Sequence, residues 1–140
     1  MNIIFMGNPE FACPSLRALN DSKYNVVGVI SNPAKRMKRS KDVSLTSIGS
    51  LAKSLNLNLF TPNDLLSPIT VDWIKSLKPD MLVVVAFKIL PTSIISIPKL
   101  GAVNLHASLL PKYRGAAPIQ HAIMNGDLYT GNTTFLIEPK

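Results

Sequence analysis

One cysteine, Cys13, and two histidines, His106 and His121, are all the cysteine and histidine that this 140-residue chain could offer a zinc ion. A lone cysteine closes no internal disulfide, and the set is too small for a structural zinc site. A metal-free protein from a reducing compartment is expected. Long hydrophobic runs are also missing. The longest, Met81 to Phe87, is strand-sized, far short of the roughly 20 residues that a membrane helix needs. No basic segment precedes the apolar amino terminus, and Asn8-Pro9-Glu10 interrupts it, so it does not read as a signal peptide. A cytoplasmic location is expected. Acids are scarce: eight Asp and Glu stand against fifteen Lys and Arg, for a net charge of +7. Charged residues reach only 16% while hydrophobic ones make up 46%, a balance that excludes intrinsic disorder and fits one domain with one core. No internal repeat or low-complexity segment is present.

The positive charge is local. Lys35, Arg36, Lys38, Arg39 and Lys41 fall within seven residues that contain no acid, and the remainder of the chain carries an excess of only two. A solvated charge run is the ordinary reading of such a stretch, and a nucleic-acid contact is the functional one.

Apolar runs alternate with helical spacings along the chain. Residues 2–6, 25–30, 57–60, 81–86, 101–106 and 132–137 read as strands, the fourth apolar on both faces as a central parallel strand should be. Between them, Phe11, Leu16 and Leu19 follow helical spacing, as do Ile48, Leu51, Ala52 and Leu55 after Ser44. Further helices are expected over residues 71–77, around 93–96 and over 118–124, the last with Pro118 at its start. This alternation builds right-handed βαβ units, so the expected fold class is α/β: a doubly wound, mostly parallel sheet with helices on both faces. Ligands of such sheets bind beyond the carboxyl ends of the strands, which directs attention to the residues after Met6, Ile30, Ala86 and His106.

After the first strand comes Gly7-Asn8-Pro9-Glu10-Phe11, where a dinucleotide-binding protein would carry G-x-G-x-x-G. Pro9 removes an N–H and Glu10 adds negative charge where a pyrophosphate would approach, so NAD and FAD are disfavoured. A tight strand-to-helix turn is the plain reading. At the end of the fifth strand, alternation sends Asn104, His106 and Ser108 to one face and Val103 and Leu105 to the other. A histidine moves protons or, when charged, donates to an oxyanion, and an asparagine amide donates without titrating. Together they suit acyl-type transfer through a tetrahedral intermediate; the bland alternative is a pair that bridges loop backbones. His121, inside a helical pattern, is either structural or a substrate-side contact. Pro111, Lys112, Tyr113, Arg114, Gly115 and Pro118 describe a stiff loop that presents charge. The fork of Arg114 suits a carboxylate or phosphate.

The run Asn104-Leu105-His106-Ala107-Ser108-Leu109-Leu110-Pro111-Lys112-Tyr113-Arg114-Gly115 resembles the formyltransferases that use 10-formyltetrahydrofolate. Ala116-Ala117-Pro118-Ile119-Gln120 narrows the resemblance to the methionyl-tRNA formyltransferase family. Phe5-Met6-Gly7-Asn8-Pro9-Glu10-Phe11 at the start, and Gly126-Asp127 with Thr130-Gly131 later, extend it over essentially the whole chain. The resemblance implies a Rossmann-like formyltransferase fold, with Asn104 and His106 as two members of a catalytic trio. It implies that Ser108, Leu109, Leu110 and Pro111, with Phe87, Ile89 and Leu90, line the folate site. It also implies that Lys35, Arg36, Lys38, Arg39 and Lys41, with Arg114, hold the tRNA. The implied cosubstrate is 10-formyltetrahydrofolate, the acceptor is initiator methionyl-tRNA, neither NAD nor a metal takes part, and a monomer is favoured.

The family's third catalytic residue, an aspartate in a Leu-Asp-Thr-Gly segment, falls past Lys140 in this comparison. Its C-terminal tRNA-binding domain has no counterpart in residues 1–140. These residues are therefore expected to be a truncated catalytic domain, inactive or nearly so alone. Two departures stand out: the family's glycine before the residue matching Lys88 is missing, so a tighter loop is expected there, and Lys38 and Ser40 flank Arg39 where the family has glycines. Two other functions compete. A formyltransferase for a small phosphorylated amine, such as glycinamide ribonucleotide, would want a glycine-rich phosphate turn after the first strand, which Gly7-Asn8-Pro9-Glu10 is not. A non-catalytic RNA-binding domain would use Lys35 to Lys41 and keep His106, without a carboxylate partner, as a relic.

Overall fold

Runs of valine, isoleucine and leucine fill both faces of the central strands and dictate that helices cover each face. The computed structural model describes residues 1–36 and 43–138. In chain order come β1 (Asn2–Gly7), a 3₁₀ turn (Glu10–Ala12) running into α1 (Cys13–Asn20), β2 (Asn25–Ile30), the short strands β3 (Lys35–Arg36) and β4 (Val43–Ser44), and α2 (Ser47–Ser54). There follow β5 (Leu59–Phe60), α3 (Pro68–Ser76), β6 (Met81–Val85), α4 (Thr92–Ile95), β7 (Ala102–His106), α5 (Pro118–Met124) and β8 (Thr133–Ile137). Six strands form one sheet in the order β5-β2-β1-β6-β7-β8, while β3 and β4 pair only with each other. All neighbours in the large sheet are parallel except β7 and β8. The α/β class and its mostly parallel sheet are as expected from the sequence.

Alternation along β1 divides the core. Ile4 and Met6 join Ile30, Leu82 and Val84 on one face, where Leu65, Ile74, Leu90, Ile94 and Ile95 cover them. Phe5 joins Val29 and Val85 on the other, beneath Leu16 of α1 and Ile48, Leu51 and Ala52 of α2. Each buried Ile, Leu or Phe contributes about 1.5–3 kcal/mol, so these two layers hold the sheet edge rigid for whatever loops leave it. Among the described residues, no helix is long and apolar enough to cross a membrane.

Helix starts follow local chemistry. Ser67 caps α3 by accepting from Thr70 N, and Pro68 takes the first position, so α3 begins at 68 rather than 71. Thr46 caps α2 by accepting from Gly49 N at 2.9 Å. Ser44, near which that helix was expected to resume, is instead paired with Lys35 in the β3–β4 ribbon. Gly28 is required by contact: a Cβ there would stand 2.6 Å from Trp73 Cη2 and 2.8 Å from Leu77 Cδ1. Trp73 is itself stacked on Phe60 at 4.8 Å. Gly28→Ala should therefore cost about 1–3 kcal/mol by overpacking, read in denaturant titration by the fluorescence of the single tryptophan. An unchanged midpoint would show that the ring can move aside freely.

From β1 the chain moves outward to β2 and β5, then returns to the other side of β1 for β6 and β7. The strand order thus reverses between β1 and β6, and the ligand crevice of such a fold lies at their carboxyl ends. Gly7 pairs with Val85, and Val85 with Leu105. One residue further along these strands come Asn8, Ala86 and His106.

Candidate active site

Asn104 lies between Val84 of β6 and Phe135 of β8, and His106 opposite Thr133. Leu105 packs with the Phe5 cluster beneath α1 and α2, so Asn104 and His106 share the opposite face. Both are half-buried. The carboxamide of Asn104 makes no hydrogen bond among the described residues, and its polar atoms stay accessible to solvent. β7 ends at His106, so the alternation expected to bring Ser108 to the same face stops two residues short of it. Ser108 is fully buried, and its hydroxyl donates to Lys112 O at 2.7 Å.

The loop after β7 folds back onto its own strand. His106 Nε2 donates to the carbonyl of Tyr113 at 2.8 Å. A carbonyl only accepts, so the proton belongs on Nε2 and leaves Nδ1 as the nitrogen available for chemistry. Thr133 Oγ1 donates to Ser108 O at 2.7 Å and accepts from Leu110 N at 3.1 Å. Tyr113 OH donates to Asp127 Oδ2 at 2.9 Å and accepts from Asn125 Nδ2 at 3.0 Å. The exposed His121 ring lies parallel to that of Tyr113, with centroids 6.1 Å apart. These bonds offset backbone strain at Tyr113 and Ala117, both at φ 54°, where a side chain costs of order 1 kcal/mol or more.

Asp127 is spent within this network, on Tyr113 and on Lys112 at 3.5 Å. Among the described residues, no carboxylate bonds to His106, and no group of three or more His, Cys, Asp or Glu side chains gathers as a metal site would require. Cys13 sits in a surface hollow of about 730 Å³ between α1 and α2, on the other face of the sheet. Burial, reinforced by Glu10, raises its thiol pKa, which keeps it a poor nucleophile.

The other expected site residues divide. Leu109 is about half exposed, Leu110 half-buried and Pro111 exposed. Gly131 admits Leu109, whose Cδ2 would lie 2.7 Å from any Cβ there. Ala86, just past the end of β6, lies in the left-handed region at φ 49°. Beyond it, Phe87 packs against the core, Ile89 is 96% exposed, and Leu90 is buried within the core. The segments after β6 and β7 leave adjacent parallel strands at the same edge of the sheet. Ser108 and Leu90 spend their side chains on the fold. Arg114 and Lys35 are exposed, and Arg36 pairs with Val43 in the β3–β4 ribbon. Lys38, Arg39 and Lys41 lie outside the described residues. Tyr113 and Thr133, which fix the His106 loop, carry no signal in the sequence beyond their register, because they act through a backbone carbonyl and one hydroxyl.

A family profile described as Formyl transferase matches residues 1–139. The chain belongs to the formyl transferase family. It is 45% identical over 139 residues to a protein named methionyl-tRNA formyltransferase from Clostridioides difficile (strain 630), covering 99% of this chain and 45% of that protein. A protein of the same name from Clostridium novyi (strain NT) is 44% identical over 140 residues, with the same coverage. The chain thus spans less than half the length of these formyl transferase relatives. Among solved structures it is similar to a phosphoribosylglycinamide formyltransferase from Anaplasma phagocytophilum, with TM-score 0.76 and 18% identity over 100% of this chain and 66% of that one. A formyltetrahydrofolate deformylase from Pseudomonas syringae pv. tomato matches with TM-score 0.71 and 18% identity, over 99% of this chain and 46% of that one. At such identities the likeness is one of fold.

Proposed function

We propose that residues 1–140 are part of the formyl-transferring domain of a methionyl-tRNA formyltransferase, an enzyme that moves the formyl group of 10-formyltetrahydrofolate to the methionine amino group of initiator tRNA. The observation that carries this reading is identity of 45% across 99% of the chain with a protein of that name, and the site chemistry agrees with it. The neutral amine attacks the formyl carbon and negative charge builds on the formyl oxygen. The free carboxamide of Asn104 and the protonated His106 ring, donating from Nδ1, stabilise that oxyanion. Collapse of the intermediate breaks the bond to the folate nitrogen, which takes up a proton as the amine loses one. The carbonyl of Tyr113 has the orienting role, since its bond to Nε2 at 2.8 Å fixes both tautomer and ring position. Phe87, Ile89, Leu109, Leu110 and Pro111 offer the apolar surface for the folate. Lys35, Arg36, Lys38, Arg39, Lys41 and Arg114 meet the acceptor-stem phosphates. A role in translation initiation carries with it a cytoplasmic location and no need of NAD or a metal.

The test compares acceptors. With 10-formyltetrahydrofolate as donor, the polypeptide that carries these residues should formylate methionyl-tRNA and leave glycinamide ribonucleotide untouched. Transfer to the ribonucleotide alone would replace the acceptor proposed here with a small phosphorylated amine. Binding of RNA without transfer to either would make this a non-catalytic RNA-binding domain.

A further inference from the structure

An asparagine in a strand-to-helix turn ordinarily bonds its own backbone two residues on. Asn8 reaches much further. Its Oδ1 accepts from Asn32 N at 2.8 Å and from the Ser31 hydroxyl at 3.1 Å, and its backbone carbonyl accepts from Ile48 N at 3.2 Å. Ser31 is fully buried and also hydrogen-bonds Thr46 Oγ1, which accepts from Gly49 N at the start of α2. The proton directions follow from chemistry. A backbone N–H only donates, so Oδ1 of Asn8 faces Asn32; Ser31 spends its one proton on Oδ1, so the proton between Ser31 and Thr46 comes from Thr46. Each donor in the chain from Gly49 to Asn8 is used once, and the buried hydroxyl is satisfied on both sides.

This chain ties down both ends of the basic ribbon. Asn32 stands three residues before Lys35, and Thr46 two residues after Ser44. β3 and β4 pair with each other and not with the large sheet, so their roots set the direction in which Lys35 and Arg36 leave the sheet edge. The same carbonyl-end row of the sheet holds His106, two strands over from β1. We propose that Asn8 is a positioning residue for RNA: with Ser31 and Thr46 it presets the roots of β3 and β4, so that Lys35 is presented to phosphate without those roots first being ordered. The proposal rests on the reading of the ribbon as the tRNA contact.

Two readouts separate the clamp from that reading. In Asn8→Ala, hydrogen exchange at the amides of residues 32–36 and 43–48 should accelerate about tenfold while amides of β1 and β6 keep their rates. The KM for methionyl-tRNA should rise about tenfold, because each backbone residue that binding must newly order weakens affinity by roughly that factor. The kcat at saturating tRNA and the affinity for folate should stay within about twofold. The salt dependence of tRNA affinity should keep its slope, since no cation is lost. Thr46→Val, which cuts the chain at the other leg, should reproduce this pattern even if Asn8→Ala folds poorly, and Thr46→Ser should restore it. Unchanged exchange in Asn8→Ala and Thr46→Val overturns the clamp. A parallel fall in kcat and folate affinity also overturns it, since Asn8 would then serve the fold at large. Accelerated exchange in a protein whose parent shows no tRNA-dependent transfer leaves the clamp standing and removes the tRNA reading instead.

Discussion

His106→Ala is expected to lower formyl transfer to methionyl-tRNA by about 10²-fold or more, the usual scale for losing a positioned acid–base or oxyanion group. The substitution removes two things at once. It takes away the Nδ1 donor and also the Nε2 bond to the Tyr113 carbonyl that closes the loop. The second loss acts on the loop rather than the chemistry, so His106→Gln is the necessary companion: its amide can donate to the carbonyl while lacking a titratable ring. If the ring is the active group, both variants fall together in single-turnover transfer with saturating tRNA and folate, and their unfolding midpoints stay close to that of the parent. If the loop alone matters, glutamine recovers most of the rate. Full turnover in either variant removes His106 from the mechanism.

The parts of this molecule that were legible in its sequence are those governed by local rules. Residues 25–30 and 118–124 were expected as strand and helix and are found with those bounds, the first through its valines and the second through Pro118 at a position that needs no N–H donor. The apolar run at 81–86 reads as a central strand because both its faces are covered. What was not legible depends on contacts distant in sequence. Lys35-Arg36 and Val43-Ser44 have neither apolar alternation nor strand propensity as a set, and their pairing is anchored by Asn8, 24 residues from Asn32. Ser108 continues a polar alternation on paper, yet the chain turns at Ala107 and encloses its hydroxyl. Ile89 and Leu90, adjacent and both apolar, part company, one exposed and one in the core. Asn104 and His106 were legible as a pair because strand alternation reaches both. The group that orients His106 was not, because a backbone carbonyl belongs to no residue type.

Neutralising Lys35, Arg36, Lys38, Arg39 and Lys41 together should raise the KM for methionyl-tRNA and barely change folate affinity. A run of cations is usually just a solvated surface, and its position is what argues otherwise. β2 ends at Ile30, in register with Met6 of β1, so the chain that leads to the basic stretch leaves β2 at the carboxyl edge that also carries His106. From there its charges can meet the phosphates of an acceptor stem while the aminoacyl end lies against Asn104 and His106. Phosphate contacts release condensed counterions, so the affinity of the parent protein should fall steeply with salt, and each lost contact should reduce the log–log slope by roughly 0.7 to 0.9. The quintuple variant should therefore lose several units of slope if most of its cations touch phosphate, and Lys35→Ala with Arg36→Ala a smaller share. An enzyme for a small phosphorylated amine would lack such a slope from the outset, so the parent titration alone separates that function from tRNA formylation. If the slope survives all five substitutions, the stretch is a solvated surface and the tRNA is held elsewhere, with Arg114, exposed on the loop that His106 anchors, the next residue to replace.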